Sequence, residues 1–153
     1  MSMTDRQQAY VERFGRFWEV AGGPRTAGRI VGWLMISDPP QQSAAELVAA
    51  LGVSHGSVST LTRQLDRANM VERITFPGDR ASYYRLREHV WVNLIDSRMD
   101  GLIELRELGS HGAELSTSTT DRGTELQLVA EFLLERWPGL IEELRRRMSV
   151  SSE

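Results

Sequence analysis

The chain has 153 residues, no cysteine, a net charge of −3, and 41% hydrophobic residues. That is enough apolar material for one ordinary domain with helical arms, and it excludes global disorder. The missing cysteines exclude disulfides, thiolate nucleophiles and cysteine-rich zinc sites. The longest apolar runs are short and interrupted, so no membrane span or secretory leader is expected and the chain reads as soluble and cytoplasmic.

Thr4 is placed to cap a first helix running to about Ala21, with Tyr10, Phe14 and Trp18 at helical spacing. Gly22-Gly23 ends it. Pro24 then suits the first turn of a second helix, which reaches about Ser37 and presents Ile30, Val31, Leu34 and Met35 on one face. Asp38-Pro39-Pro40 stops that helix. Ser43 and Glu46 form a capping box at the start of a short helix, Ala44 to Leu51, that buries Leu47, Val48 and Leu51. Gly52 follows as a left-handed terminal residue would, and Ser54 caps a new helix to about Asn69. Two short helices around a tight glycine turn are the helix-turn-helix pattern.

The second of these helices has two unlike faces. Val58, Leu61, Leu65 and Ala68 share the apolar one. Gly56, Ser59, Thr60, Arg63 and Arg67 share the other, small or hydroxylated near the N-terminus and basic further on. Small residues allow close approach to a groove floor, and hydroxyls and arginine can meet base edges or phosphates. Read alone, this is also an ordinary amphipathic helix with a solvated face. The segment after it sharpens the reading. Val71 to Phe76 is β-branched and aromatic, Pro77-Gly78-Asp79-Arg80 is a turn, and Ala81 to Leu86 reads as the returning strand. A hairpin directly behind a recognition-type helix is a wing. Its tip carries Arg80, suited to a narrow minor groove or, alternatively, to pairing with Asp79. Of Tyr83 and Tyr84, which alternate sides, one is expected to pack and the other to meet a sugar-phosphate backbone. From Ser54 to Arg87 the chain carries six arginines and three carboxylates, so this module is +3 and the remainder −6.

A long helix is expected from about Glu88 to Leu108, weakened at Gly101, and then a loop over residues 109–120. A last helix starts at Asp121, with Leu126, Val129, Leu133 and Trp137 as a stripe, is kinked or broken at Pro138-Gly139, and continues to about Met148. The helices flanking the winged module carry more apolar surface than a monomer can bury. Two-fold pairing would cover it and set two recognition helices about 34 Å apart, one turn of DNA. The fold expected is mainly α with a small β-hairpin wing. Residues 1–22 form an N-terminal dimerisation helix, 23–87 a winged helix-turn-helix, and 88–153 a C-terminal helical region for dimerisation and a candidate effector.

These stretches resemble the MarR-type winged-helix regulators, in particular the GbsR-like branch. The resemblance rests on Gly23 to Leu34, Ser43 to Leu47, Val53 to Thr60, and Pro77 to Arg80 with Tyr83 to Leu86. His55 stands where that branch would have lysine. The resemblance implies a homodimer that binds a palindromic operator through the second helix and the wing. Some members of the branch look like sensors of choline or glycine betaine, for which an aromatic cage is the physical requirement. Trp18, Trp33 and Trp91 mark the candidate effector pocket, although tryptophans at such spacing serve more often as core.

The function expected is therefore sequence-specific DNA binding as a repressor, relieved by a small ligand. The DNA-facing residues are Ser54, His55, Gly56, Ser57, Ser59, Thr60, Arg63, Arg67, Gly78, Arg80 and Tyr84. The alternative is a winged-helix module for protein interaction without DNA. No nucleophile–base pair, paired-carboxylate motif or phosphate loop stands out, so neither catalysis nor a cofactor is expected. His55, His89 and His111 lack metal-ligand spacing.

Overall fold

The computed structural model describes residues 3–117 and 121–150. The chain divides into two compact units, Met1–Val90 and Trp91–Glu153.

The first unit opens with α1 (Asp5–Val20), capped as the sequence suggests: the Thr4 hydroxyl accepts from Gln7 N–H while the Gln7 side chain accepts from Thr4 N–H. Helix α2 (Arg25–Leu34) packs along it. Gly28 sets how closely. A Cβ at Gly28 would lie 2.4 Å from Trp18 Cβ and 3.0 Å from Gly15 Cα, so the two backbones meet where side chains are absent. Ile30 and Val31 are fully buried, while Met35, expected on the apolar face, is 41% exposed. A two-residue strand, β1 (Gln42–Ser43), precedes α3 (Ala44–Leu51). Sequence reading gives no sign of β1, because it exists only through pairing: Gln42 lies opposite Tyr84 and Ser43 opposite Tyr83 of a strand forty residues on. Ser43 and Glu46 close the capping box. Gly52 caps α3 with φ 63°, where a Cβ is costly.

Helix α4 (His55–Arg67) follows, capped by the Ser54 hydroxyl, which accepts from Ser57 N–H. Its buried residues are Val58, Thr62 and Leu65; Leu61 is half-buried and Ala68 is exposed. Thr62 sits on the inner face, fully buried, because its hydroxyl donates to the Val58 carbonyl at 2.8 Å and leaves no polar atom orphaned. Strands β2 (Val71–Ile74) and β3 (Tyr83–Leu86) complete a three-stranded antiparallel sheet in the order β1-β3-β2. Both strands are shorter than the sequence suggests, so the wing is a long turn on a short ladder.

The second unit departs further from expectation. The single long helix is two helices, α5 (Val90–Asp96) and α6 (Met99–Leu115). The break falls at residues 97–98, not at Gly101, and the Ser97 hydroxyl there donates to the Leu94 carbonyl. The loop expected from Gly109 is helix as far as Leu115; residues 118–120 of that loop lie outside the described residues. The reason is packing. A Cβ at Gly109 would lie 2.6 Å from Gln127 N, and one at Gly123 2.3 Å from Ala113 N. Small residues that read locally as loop are the surface along which α6 meets α7 (Arg122–Val150). The Asp121 carboxylate accepts from Thr124 N–H at the start of α7. The helix neither breaks nor ends at Pro138. The buried positions on α7 are Ala130 and Ile141, whereas Val129, expected on the inward stripe, is 53% exposed. No helix among the described residues is long and apolar enough to cross a membrane, and none of their His, Cys, Asp and Glu side chains group to hold a metal ion.

Candidate nucleic-acid interface

The buried side of α4 faces the core through Val58, Thr62 and Leu65, and this determines what the other side presents. Ser54, His55, Gly56, Ser59, Thr60, Arg63 and Arg67 are all exposed, and Ser57 is half-buried. Ser54 and Ser57 are occupied with each other, their hydroxyls 2.9 Å apart, so their main contribution is to cap the helix. Capping leaves further N–H groups of the first turn open and the positive end of the helix dipole facing outward, a setting that attracts phosphate. Arg63 Nε donates to the Ser59 carbonyl at 3.0 Å, which draws the stem along the helix.

Gly56 carries a specific signal. A Cβ there would meet only Ser54 Oγ, at 3.9 Å, so nothing within the chain demands glycine. Glycine in a helix interior costs about 1 kcal/mol relative to alanine, and less in the first turn, where Gly56 stands. Gly56 is thus a helix glycine with no packing reason inside the chain.

The wing is held at its turn by one carboxylate. Asp79 accepts from Ala81 N–H at 2.8 Å and from the Tyr83 hydroxyl at 2.7 Å. Phe76 stacks edge-on against the Tyr83 ring, with centroids 5.2 Å apart. Asp79 is therefore satisfied by Ala81 and Tyr83, and the exposed Arg80 guanidinium makes no ion pair with it. Gly78 has φ 82°, the conformation that lets the turn close. Tyr83 and Tyr84 are both half-buried, and Tyr83 is the one tied to Asp79 and Phe76. Arg73 Nε donates to Ser82 Oγ at 2.8 Å, and Arg85 pairs with Glu72 at 2.6 Å across the ladder. The six arginines of this module are thus divided: Arg73, Arg85 and Arg87 have partners on the hairpin or on α4, Arg63 is turned to the Ser59 carbonyl, and Arg67 and Arg80 are exposed.

The Ala81 N–H and then the Tyr83 hydroxyl hold the Asp79 carboxyl below its ordinary value of 3.8. A depressed pKa stabilises the folded turn above the ordinary value, and that contribution is lost as pH falls through the folded one. The turn is expected to stay ordered on acidification until below about pH 3.8. The Ala81 amide signal, followed by NMR during an acid titration, should shift only in that range. A shift complete above about pH 5 would show that Asp79 does not hold the turn.

Of the three tryptophans of the candidate effector pocket, Trp18 and Trp33 belong to the first unit. Trp18 is half-buried, stacked on Phe14 with centroids 6.1 Å apart and pressed against Gly23 and Gly28. Trp33 is 8% exposed and donates from Nε1 to Gln42 Oε1 at 3.2 Å. Gln42 in turn donates to the Pro39 carbonyl. Sequence reasoning missed Gln42, a buried amide whose role depends on the fold bringing it to Trp33. Trp91 belongs to the second unit.

The profile of the MarR family matches residues 22–82, the stretch that holds α2 to α4 and most of the wing. The chain is 34% identical over 125 residues to the HTH-type transcriptional regulator MmpR5 of Mycobacterium tuberculosis, covering 81% of this chain and 76% of that protein. It belongs to the MarR family. A crystal structure of a transcriptional regulator superposes with a TM-score of 0.76 at 28% identity, covering 92% of this chain and 99% of that one. This MarR-family protein is accordingly a DNA-binding transcriptional regulator with the winged helix-turn-helix fold.

Proposed function

We infer that this regulator acts as a homodimeric repressor of a palindromic operator, in the manner of the GbsR-like branch. The outer face of α4 enters the major groove, and the wing reaches the flanking minor groove. The observation that carries the reading is the exposed face of α4: an internally unneeded glycine at the capped N-terminus, two hydroxyls, and Arg63 and Arg67 further along. Arg80 and Gly78 at the wing tip, with Tyr84 on the strand behind, complete the surface. His55 lies at the first turn of α4, where an imidazole that can hydrogen-bond stands in place of the lysine of that branch.

Dimerisation is supported by large apolar side chains that each unit leaves exposed. Phe17 and Val20 on α1 are 65% and 89% exposed, and Leu128, Phe132 and Leu140 on α7 are each more than half exposed. Apolar surface on this scale favours association with a second copy. A ligand-responsive step is supported by a cleft of about 360 Å³ in the first unit, lined by Trp33, Ile36, Pro39 and Gln42 among others. Small-molecule sites begin at about 300 Å³.

The test is binding of the purified protein to DNA from upstream of its own gene, against random duplex, across a salt series. Affinity should fall steeply with salt, and the upstream duplex should win at every salt concentration. Equal affinity for both would remove the sequence-specific reading. Within it, Arg63→Ala should weaken operator binding by about 1–3 kcal/mol if Arg63 reads a base. An undiminished affinity would take Arg63 out of the interface.

A further inference from the structure

Arg29 joins three helices of the first unit, α1, α2 and α3. It stands on α2 with only 19% of its side chain exposed. Its stem occupies the space over Gly15 of α1, where a Cβ would come 2.7 Å from Arg29 Cγ. Its Nε pairs with Glu12 Oε1 on α1 at 2.8 Å, an ion contact and not an aligned hydrogen bond. Its Nη2 donates to the Leu51 carbonyl at 2.8 Å. Leu51 is the last residue of α3, Gly52 turns left-handed directly after it, and Ser54, the cap of α4, follows.

The Leu51 carbonyl is one of the acceptors a helix leaves unsatisfied at its C-terminus. A cation there suits the helix dipole, and lysine could supply that much. Arginine adds the bridge, because its planar fork reaches a carboxylate on one helix and a carbonyl on another at once. Glu12 is fixed from its other side as well, its Oε2 accepting from Arg25 Nη2 at 2.8 Å. Burial pushes the Glu12 carboxyl up, but the Arg25 and Arg29 guanidiniums outweigh it and hold the group below the ordinary carboxylate range. The pairing therefore persists at neutral pH.

We propose that Arg29 is a positioning residue: it ties α1 to the turn before α4 and so fixes the angle and separation at which the dimer presents its two recognition helices. This rests on the dimeric reading above. A dimer with both helices rigidly set accepts two half-sites at one separation, since each added base pair both lengthens and rotates the target. With the bridge cut, the turn before α4 loses its tie to α1, and several separations become acceptable. The signature is lost spacing selectivity, which a general loss of stability does not produce.

Duplexes selected by the wild-type chain from a random pool supply the probe, and their half-sites are then moved apart or together by one, two or three base pairs. The wild type should lose at least about tenfold in affinity at every displaced spacing. Arg29→Met keeps the stem over Gly15 and removes the fork. It should bind the displaced duplexes within about threefold of its best, bind an isolated half-site as the wild type does, and remain folded and dimeric by circular dichroism and sedimentation. Arg29→Lys should fall between the two. If Arg29→Met weakens every duplex and the half-site by one common factor, or keeps the wild-type spacing preference, the positioning role is overturned. If that variant fails to fold, Glu12→Gln, which keeps an acceptor oxygen and removes the charge, is judged by the same spacing series. A wild-type chain that sediments as a monomer overturns the dimeric reading instead, and the same sedimentation run reports it separately.

Discussion

Gly56→Leu is expected to cost operator binding about a hundredfold or more while leaving the protein at least as stable as before. The two effects have separate causes. Within the chain the new side chain meets open space, since the nearest heavy atom to a Cβ is Ser54 Oγ at 3.9 Å. Replacing glycine by leucine in a helix gains up to about 1 kcal/mol of propensity. Against DNA the same side chain occupies the gap between helix and groove and holds the first turn of α4 away. Losing that close approach, with the contacts of Ser59 and Thr60 behind it, is taken as about 3 kcal/mol, roughly a hundredfold. Fluorescence anisotropy on an operator duplex and a thermal melt give the two readouts. Stability raised with affinity intact would mean that the N-terminus of α4 does not face the groove. A melt lowered along with affinity would mean that Gly56 serves the fold.

The same chemistry at Gly28 should do the reverse. Gly28→Val places branched carbon where Trp18 Cβ is already 2.4 Å and Trp18 Cγ 2.9 Å from an ideal Cβ. Those atoms lie at the base of a large side chain and cannot swing aside, and Gly15 Cα at 3.0 Å blocks the backbone from yielding. The helices must separate. Overpacking of a tight contact costs about 1–3 kcal/mol and sometimes more, and the upper end is expected here because both neighbours are rigid. For a domain of this size, 3 kcal/mol corresponds to a drop in Tm of about 10 °C. Urea unfolding should show a lower midpoint, and DNA binding should fall only as far as the folded fraction does. A midpoint within error of wild type would show that α1 and α2 do not meet at Gly28.

These two glycines show where the sequence is readable and where it is not. Both appear as glycine in a helical stretch, and nothing local separates them. What separates them is the rest of the face: Gly56 reads as groove-facing because its neighbours there are hydroxylated and basic. Gly28 fell between Ala27 and Arg29 with no such context, and its role depends on a helix ten residues earlier. Arg29 is similar, since only the tertiary structure brings Glu12 and the end of α3 to it. Residues 109–115 were misread for the same reason. Their small side chains lower local helix propensity, but closeness to Gly123 and Gln127 makes smallness an advantage.

What the sequence determined by itself is whatever forms within a few residues. The Ser43 and Ser54 caps, the left-handed Gly52, the turn at Gly78 and the two-faced pattern of α4 all came from chemistry spanning one helical turn or one hairpin. Together these place the winged helix-turn-helix. Tertiary structure decided the rest: strand β1, the Gln42–Trp33 bond, Tyr83 as the partner of Asp79, the break after Asp96, and the bridge at Arg29. Each of these requires a group whose position is set by another element. Capping energy is local and legible in a short window of residues, whereas close packing and buried polar pairing are properties of pairs of elements. Gly28 could not be read from the sequence because its partners, Trp18 and Gly15, are brought to it by another helix.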